Sequence, residues 1–317
     1  MKDLMYKSFF QLKESPFNVN PDPRYLVITN AIEEALTGLM YGIQTRKGFI
    51  TLTGEVGTGK TTLVNRLLDW LHHKRAKTAF LFNSRMNTNQ LFDFILAEFD
   101  IPCDSKSKSQ QLMSLNHWLL DRYRAGETAV LIIDEAQNLT FPVLEEVRLL
   151  TNLETSTDKL LQIVLSGQPE LEDKLRLPQL RQLRQRIMLR CKTAAFTKEQ
   201  THEYIVERLR IAGADSQPIF SREAVDIVYL YSLGIPRVIN LLCEHALVNA
   251  YAEQRRPILP KTIEEIAHEF QLDEVEPIAP TAPAPVDVFQ SESFLQNLGE
   301  ALSRFRMDPP TTTKGRR

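Results

Sequence analysis

The spacing of apolar and polar positions divides this chain into stretches of different period. From Ala31 to Gly48, Ile32, Leu36, Leu39, Met40 and Ile43 recur at three- and four-residue steps, which predicts a helix with one apolar face. Ahead of it lies an aromatic and proline-punctuated piece, "SFFQLKESPFNVNPDPRYL". From Gly48 to about Thr193 the pattern changes to short, nearly continuous apolar runs separated by longer helical stretches. The runs are Phe49–Thr53, Thr78–Phe82, Ala129–Asp134, Leu160–Ser166 and Ile187–Cys191. Strands that are apolar on both faces and joined by helices imply a parallel sheet covered on both sides, so the fold class is α/β with a five-stranded parallel sheet. The piece "IPCDSKSKSQ" reads as a solvated loop.

After about Phe196 the strand pattern stops. "TKEQTHEYIVERLRIAG" and "SREAVDIVYLYSLG" each open on Thr or Ser shortly before acidic residues and close on glycine, the punctuation of helices. An all-helical region is expected. Four prolines, Pro277, Pro280, Pro283 and Pro285, then mark an extended linker. In "SESFLQNLGEALSRF", Phe294, Leu295, Leu298, Leu302 and Phe305 form one stripe of a short amphipathic helix. The expected organisation is an N-terminal extension and helix (1–47), an α/β core (48–193), a helical lid (194–270), a proline-rich linker (271–290), the amphipathic helix (291–306) and a disordered tail (307–317).

Composition narrows this little. The chain has 317 residues, 43% hydrophobic and 25% charged, with a net charge of −2, which is ordinary for a folded domain and does not advertise nucleic acid. The three cysteines, Cys103, Cys191 and Cys243, are far apart and predict neither a disulfide framework nor a zinc site. The N-terminal stretch lacks the apolar core of a signal peptide, and no apolar run approaches the ~20 residues that span a bilayer. A cytoplasmic protein is expected.

The chemistry begins at "GEVGTGKTT". It follows a strand, precedes a helical pattern and matches G-x-x-x-x-G-K-[ST] in full. Gly54, Gly57 and Gly59 let the backbone turn tightly, and with Glu55, Val56 and Thr58 they form a loop whose N–H groups face a phosphate chain. Lys60 brings positive charge to the outer phosphates, Thr61 a hydroxyl for Mg²⁺, and Thr62 continues the helix whose positive end faces the anion. The expected ligands are ATP and Mg²⁺. In "LIIDEAQ", Asp134 stands at a strand's C-terminal end, where α/β sheets bind ligands, and is expected to hold Mg²⁺; Glu135 is placed to orient and deprotonate water. Gln137 and Asn138 are polar neighbours without an evident role.

Ser166 and Gln168, in "LLQIVLSGQPEL", reach the same edge of the sheet. Either is suited to hydrogen-bond the water or the γ-phosphate, with Ser166 preferred because it ends the strand. Asn83 closes "TAFLFN" and is read either as a strand-end cap or as a group that restrains Glu135. In "LGIPRVINLLCEHAL", Gly234 and Pro236 break the chain before a helix whose first turn would aim Arg237. The stretch "LPQLRQLRQRIMLR" (Leu177–Arg190) clusters arginines between the fourth and fifth strands.

Taken together, "SPFNVNPDPRYL", "EALTGLMYGI", "GFITLTGEVGTGKTTL", "LIIDEAQNL", "SGQPEL", "LRQRI", "YIVERLRIAG" and "GIPRVINLLCEHAL" resemble the AAA+ ATPases of the ExeA/GspA type, the general secretion pathway protein A family. The resemblance covers residues 5–270. MshM-like and exosortase-associated ATPases are similar, and TnsC/TniB-type transposition ATPases more distantly so. The resemblance implies a P-loop NTPase αβα sandwich with a C-terminal helical lid, Lys60 and Thr61 as Walker A residues and Asp134 and Glu135 as Walker B residues. It implies Ser166 as a sensor-1 candidate and Arg237 as the sensor-2 arginine.

The same resemblance implies homo-oligomers in which an arginine just before the fifth strand reaches the neighbour's ATP. Arg186 fits that place best and Arg184 second. The implied role is a motor or switch that remodels or assembles a protein complex in a secretion, pilus or exopolysaccharide system. The partner would be an unidentified protein, such as an inner-membrane secretion or polysaccharide-export component, which would add a peripheral location at that membrane. The alternative is a transposition-type ATPase forming ATP-dependent oligomers on DNA, supported by the basic pieces "HHKRAKT" and "EQRRPILPK" and opposed by the net charge. Secretion members often continue into a transmembrane helix and a peptidoglycan-binding domain; a linker and an amphipathic helix stand here instead, which argues against direct work on the cell wall.

Overall fold

The computed structural model describes residues 5–18, 23–25, 27, 29–82, 85–105, 107–215 and 217–272. Asn83 and the linker, amphipathic helix and tail expected beyond residue 272 lie outside these residues. In chain order the elements are α1 (Met5–Phe9), α2 (Asn30–Gln44), β1 (Phe49–Thr53), α3 (Lys60–His73), β2 (Lys77–Leu81), α4 (Thr88–Glu98), α5 (Lys108–Arg124), β3 (Ala129–Ile133), α6 (Phe141–Leu150), β4 (Leu161–Gly167), α7 (Pro169–Arg176), α8 (Arg181–Arg184) and β5 (Leu189–Lys192). The helices α9 (Lys198–Ile211), α10 (Arg222–Ser232), α11 (Pro236–Ala252) and α12 (Pro260–Glu269) follow.

The five strands form one sheet in the order β2-β3-β4-β1-β5, and every recorded pairing is parallel. The apolar runs are continuous because each strand feeds two cores. Successive side chains of a strand point to opposite faces. Ile50, Leu52, Val130, Ile132 and Val164 enter one cluster together with Leu63, Val64 and Leu67 of α3. Phe49, Leu131, Ile133, Ile163 and Leu165 enter the other, beneath α4, α5 and α6. Fully burying each such aliphatic side chain contributes about 1.5–3 kcal/mol.

The expected β1 matches residue for residue, while the other strands shift by one or two positions. Phe82, expected inside the second strand, is 75% exposed, because β2 lies at the sheet's edge and ends at Leu81. The last strand begins at Leu189 rather than at Ile187.

The described part of residues 1–47, one segment by pattern, packs in two places. Tyr6, Phe10, Leu12 and Phe17 are buried in the cluster that holds the apolar faces of α9 to α12. The Tyr6 hydroxyl donates to Glu244 Oε1 at 2.7 Å, and the Lys13 N–H to the Ala212 carbonyl at 2.8 Å. In contrast, α2 lies on the sheet, where a Cβ at Gly38 would sit 3.0 Å from Cys191 Sγ on β5. Thr29 caps α2 by accepting the Ile32 N–H at 3.3 Å. The Thr197 side chain caps α9 in a reciprocal box with Gln200, and its hydroxyl donates to Glu199 Oε2 at 2.9 Å.

The stretch that leaves β5 is held to the α10–α11 turn by a backbone contact. The Phe196 N–H donates to the Gly234 carbonyl at 2.8 Å, and Gly234 has φ 75°. A Cβ there would lie 1.9 Å from the Phe196 carbonyl oxygen. Replacing Gly234 by alanine therefore forces the α10–α11 turn away from Phe196; the expected loss is about 2–4 kcal/mol of stability, read by urea unfolding. An unchanged urea midpoint would contradict this account of the turn.

Candidate functional site

The sheet order places β1 between β4 and β5 with β3 next to β4, so the C-terminal ends of β1, β3 and β4 open onto one crevice. At the end of β1 the chain turns through Gly54–Gly59, with φ 82° at Gly57 and 96° at Gly59, and enters α3 at Lys60. The Thr58 hydroxyl lies 2.7 Å from the Thr193 hydroxyl, and the Gly54 N–H donates to the Gly167 carbonyl at 3.3 Å. These bonds fix the loop between β4 and the end of β5.

Lys60 is buried, and its Nζ donates to the carbonyls of Gly54 at 2.6 Å and Glu55 at 2.9 Å. Burial pulls its ammonium below the usual lysine range, opposed by the carboxylates of Glu135, Asp134, Glu55 and Glu170. An ammonium curled onto the carbonyls of its own loop can turn to a phosphate bound on that loop.

Asp134 and Glu135 continue from β3. Asp134 is buried, and its Oδ1 accepts the Ser166 hydroxyl at 2.7 Å and the Glu135 N–H at 3.0 Å. Glu135 has φ 51°, left-handed for a non-glycine residue. Its Oε2 accepts the Gln168 side-chain amide at 3.1 Å and that of Gln137 at 2.5 Å. From the other side, α11 opens with Pro236 and Arg237, and the Arg237 N–H donates to the Gly57 carbonyl at 3.2 Å.

These groups surround a cavity of ≈ 370 Å³ lined by Val56, Gly57, Thr58, Gly59, Lys60, Thr61, Thr62, Glu135, Gln168 and Arg237. That size suits a small ligand. Gly54, Glu55, Asp134 and Ser166 stand behind this lining. The two strand-end candidates thus separate: the Ser166 hydroxyl meets Asp134 behind the lining, while Gln168 lines the cavity and its amide meets Glu135. Arg186 is not part of the lining; its Nη1 donates to Thr151 Oγ1 at 2.7 Å, at the end of α6. Arg184 donates to the Arg176 carbonyl at 3.3 Å, and Arg190 lies within β5 opposite Thr51.

Other lining residues escaped the sequence reading. Tyr25, Val27 and Ile32 come from the N-terminal stretch, and Phe196, Tyr204, Arg208 and Asn240 from the lid. Arg208 is buried; its guanidinium donates to the Pro16 carbonyl and the Tyr204 hydroxyl, each at 2.5 Å, and lies 4.5 Å from the Tyr25 ring centroid. A signal existed: Tyr204, Ile205, Arg208 and Leu209 share one stripe of α9, where an arginine breaks an apolar pattern.

The donors present fit a nucleotide and Mg²⁺. A Cβ built on Gly59 would meet nothing within 4 Å, so the loop faces open space where phosphates fit. Among the described residues there is no group of three or more His, Cys, Asp or Glu side chains able to hold a metal alone. A hard divalent ion here would need the Asp134 carboxylate, the Thr61 hydroxyl and phosphate oxygens together, which is how Mg²⁺ is commonly held.

Known proteins resemble this chain in sequence and in fold. Residues 43–175 match the family model described as an AAA domain. Over 266 residues, 84% of this chain, the sequence is 43% identical to General secretion pathway protein A of Aeromonas hydrophila. The match takes in 48% of that relative, so this chain spans about half its length. Among solved structures, the Aeropyrum pernix ORC2 protein (ADPNP-ADP complexes) aligns with TM-score 0.60 at 15% identity, covering 83% of this chain and 75% of that one. CDC6P from Pyrobaculum aerophilum aligns at 0.61 and 18% identity, covering 81% and 71%. The Thermotoga maritima RuvB Holliday junction branch migration motor aligns at 0.52 and 14% identity, covering 80% and 73%. At such identities these structures establish the P-loop NTPase fold. Among the described residues no helix is long and apolar enough to cross a membrane.

Proposed function

Since residues 43–175 match an AAA domain model and the chain is similar along most of its length to General secretion pathway protein A, we propose that it hydrolyses ATP to ADP and phosphate as part of a homo-oligomer. The carrying observation is the convergence of the buried Lys60, the Asp134–Glu135 pair and the lid's Arg237 on one crevice. In this reading the N–H groups of the 54–59 loop and the N-terminus of α3 receive the phosphate chain, and Lys60 leaves its loop carbonyls for the outer phosphates. Thr61 and Asp134 would hold Mg²⁺, which when bound offsets phosphate charge. Glu135 orients a water and takes its proton.

Gln168, rather than Ser166, is the residue that senses the γ-phosphate side, because it lines the cavity beside Glu135. Ser166 keeps the Asp134 carboxylate turned correctly. Arg237 adds charge from the lid, so phosphate contact and lid position are coupled through one residue. Arg186 serves the neighbouring subunit's site. The relationship to General secretion pathway protein A supports a motor or switch acting on a protein partner in a secretion or related export system.

The direct test is nucleotide binding followed by phosphate release. Lys60→Ala removes a charge-assisted contact, so ATP affinity is expected to fall by about 10- to 100-fold, measured by equilibrium titration. Equal affinity in the two proteins would remove Lys60, and this crevice, from the reading.

A further inference from the structure

We propose that Gln137 is a positioning residue for the base, holding the Glu135 carboxylate in the orientation that water activation needs. The proposal deepens the function above and rests on it. Gln137 lies in the short 3-10 turn Ala136–Asn138 that follows Glu135. Its amide is read in only one way. The oxygen Oε1 faces the backbone N–H of Gln168 at 3.1 Å, which is a donor, so Oε1 must be the acceptor and Nε2 must point the other way. Nε2 then meets Glu135 Oε2 at 2.5 Å. That same carboxylate oxygen accepts the Gln168 side-chain amide at 3.1 Å. Glu135, Gln137 and Gln168 thus close a ring in which every donor meets an acceptor.

Two further contacts hold Gln137 itself. Lys174 of α7 donates from Nζ to the carbonyls of Gln137 at 2.5 Å and Leu139 at 2.8 Å, clamping the turn. Gly167 makes room for the amide, since a Cβ there would lie 2.8 Å from Gln137 Oε1. The ring orients a side chain whose backbone is strained, at φ 51°. A carboxylate on two rotatable carbons swings freely in water; two amide donors on one oxygen fix its plane. Misplacing a reacting group by about 1 Å can cost roughly 10²-fold in rate. Gln137 thereby ties the end of β3 to Gln168, the residue just before α7, so the base and Gln168 move together.

The test uses Gln137→Met, which keeps length and bulk but donates nothing, and Gln137→Glu, which keeps shape but sets a carboxylate against Glu135. Turnover is expected to fall about 10- to 100-fold in the first and further in the second, with ATP affinity and urea midpoint held within error. In a Glu135→Asp background, whose shorter carboxylate is withdrawn from the ring, Gln137→Met should cost at most a small further factor. Turnover of Gln137→Met within twofold of wild type, parallel loss of affinity and stability, or an equal cost in both backgrounds would each overturn the positioning role. If Glu135→Gln itself turned over normally, the base assignment would fail instead, so the two failures are distinguishable.

Discussion

Glu135→Gln is expected to lower ATP turnover by about 10²–10⁴-fold while leaving ATP affinity close to that of wild type, the scale general-base catalysis supplies. The physical reason lies in the ring around it. Glu135 Oε2 accepts amide N–H groups from both Gln137 and Gln168. A glutamine at 135 fills the same volume and can satisfy both donors only with its oxygen. Its own NH₂ must then take the place of the second carboxylate oxygen. A donor there cannot accept the water's proton, so the site keeps its shape and loses its base. Lys60, Thr61 and the loop remain, so the phosphates still bind. Phosphate release and equilibrium nucleotide titration read the two halves of this expectation. Turnover within a factor of three of wild type would remove Glu135 from the mechanism.

Arg186→Ala is expected to reduce turnover by roughly 10³–10⁵-fold, the range associated with arginines supplied to a neighbouring phosphoryl-transfer site. Within its own chain Arg186 donates to Thr151 and does not line the crevice, so a single subunit gives it no phosphate to meet. If it works across subunits, two defective proteins should repair each other. Arg186→Ala has an intact nucleotide site, and Lys60→Ala has an intact arginine; mixed, they should regain part of the activity that each lacks alone. Arg184→Ala should lose much less, since Arg184 turns back to the Arg176 carbonyl. Absence of rescue at every mixing ratio, with both proteins folded, would be incompatible with action in trans.

Much of the core was legible in advance. The apolar runs at Phe49–Thr53 and Ala129–Ile133 are strands because both faces of the sheet are covered, which a continuous run states directly. The loop from Gly54 to Lys60 was legible because its spacing is dictated by phosphate geometry rather than by packing. Strand ends were less legible: whether Phe82 belongs to β2 depends on what lies beside an edge strand, which pattern alone does not contain. The choice between Ser166 and Gln168 was equally closed to sequence. Both stand at the same edge, and only the direction of each side chain decides which meets Asp134 and which meets Glu135.

The sequence by itself determined the α/β class, the helical region after it, the phosphate loop and the acidic pair. Each of these is written in local spacing, the period of a strand, a helix or a tight turn. Tertiary structure alone decided that residues 5–18 pack with the lid, that Arg208 holds Pro16 and Tyr204 at the crevice, and that Gln137 and Gln168 grip Glu135. Those contacts join segments far apart along the chain. They follow from how the parallel sheet orders its strands and where the lid returns, and no local period encodes that.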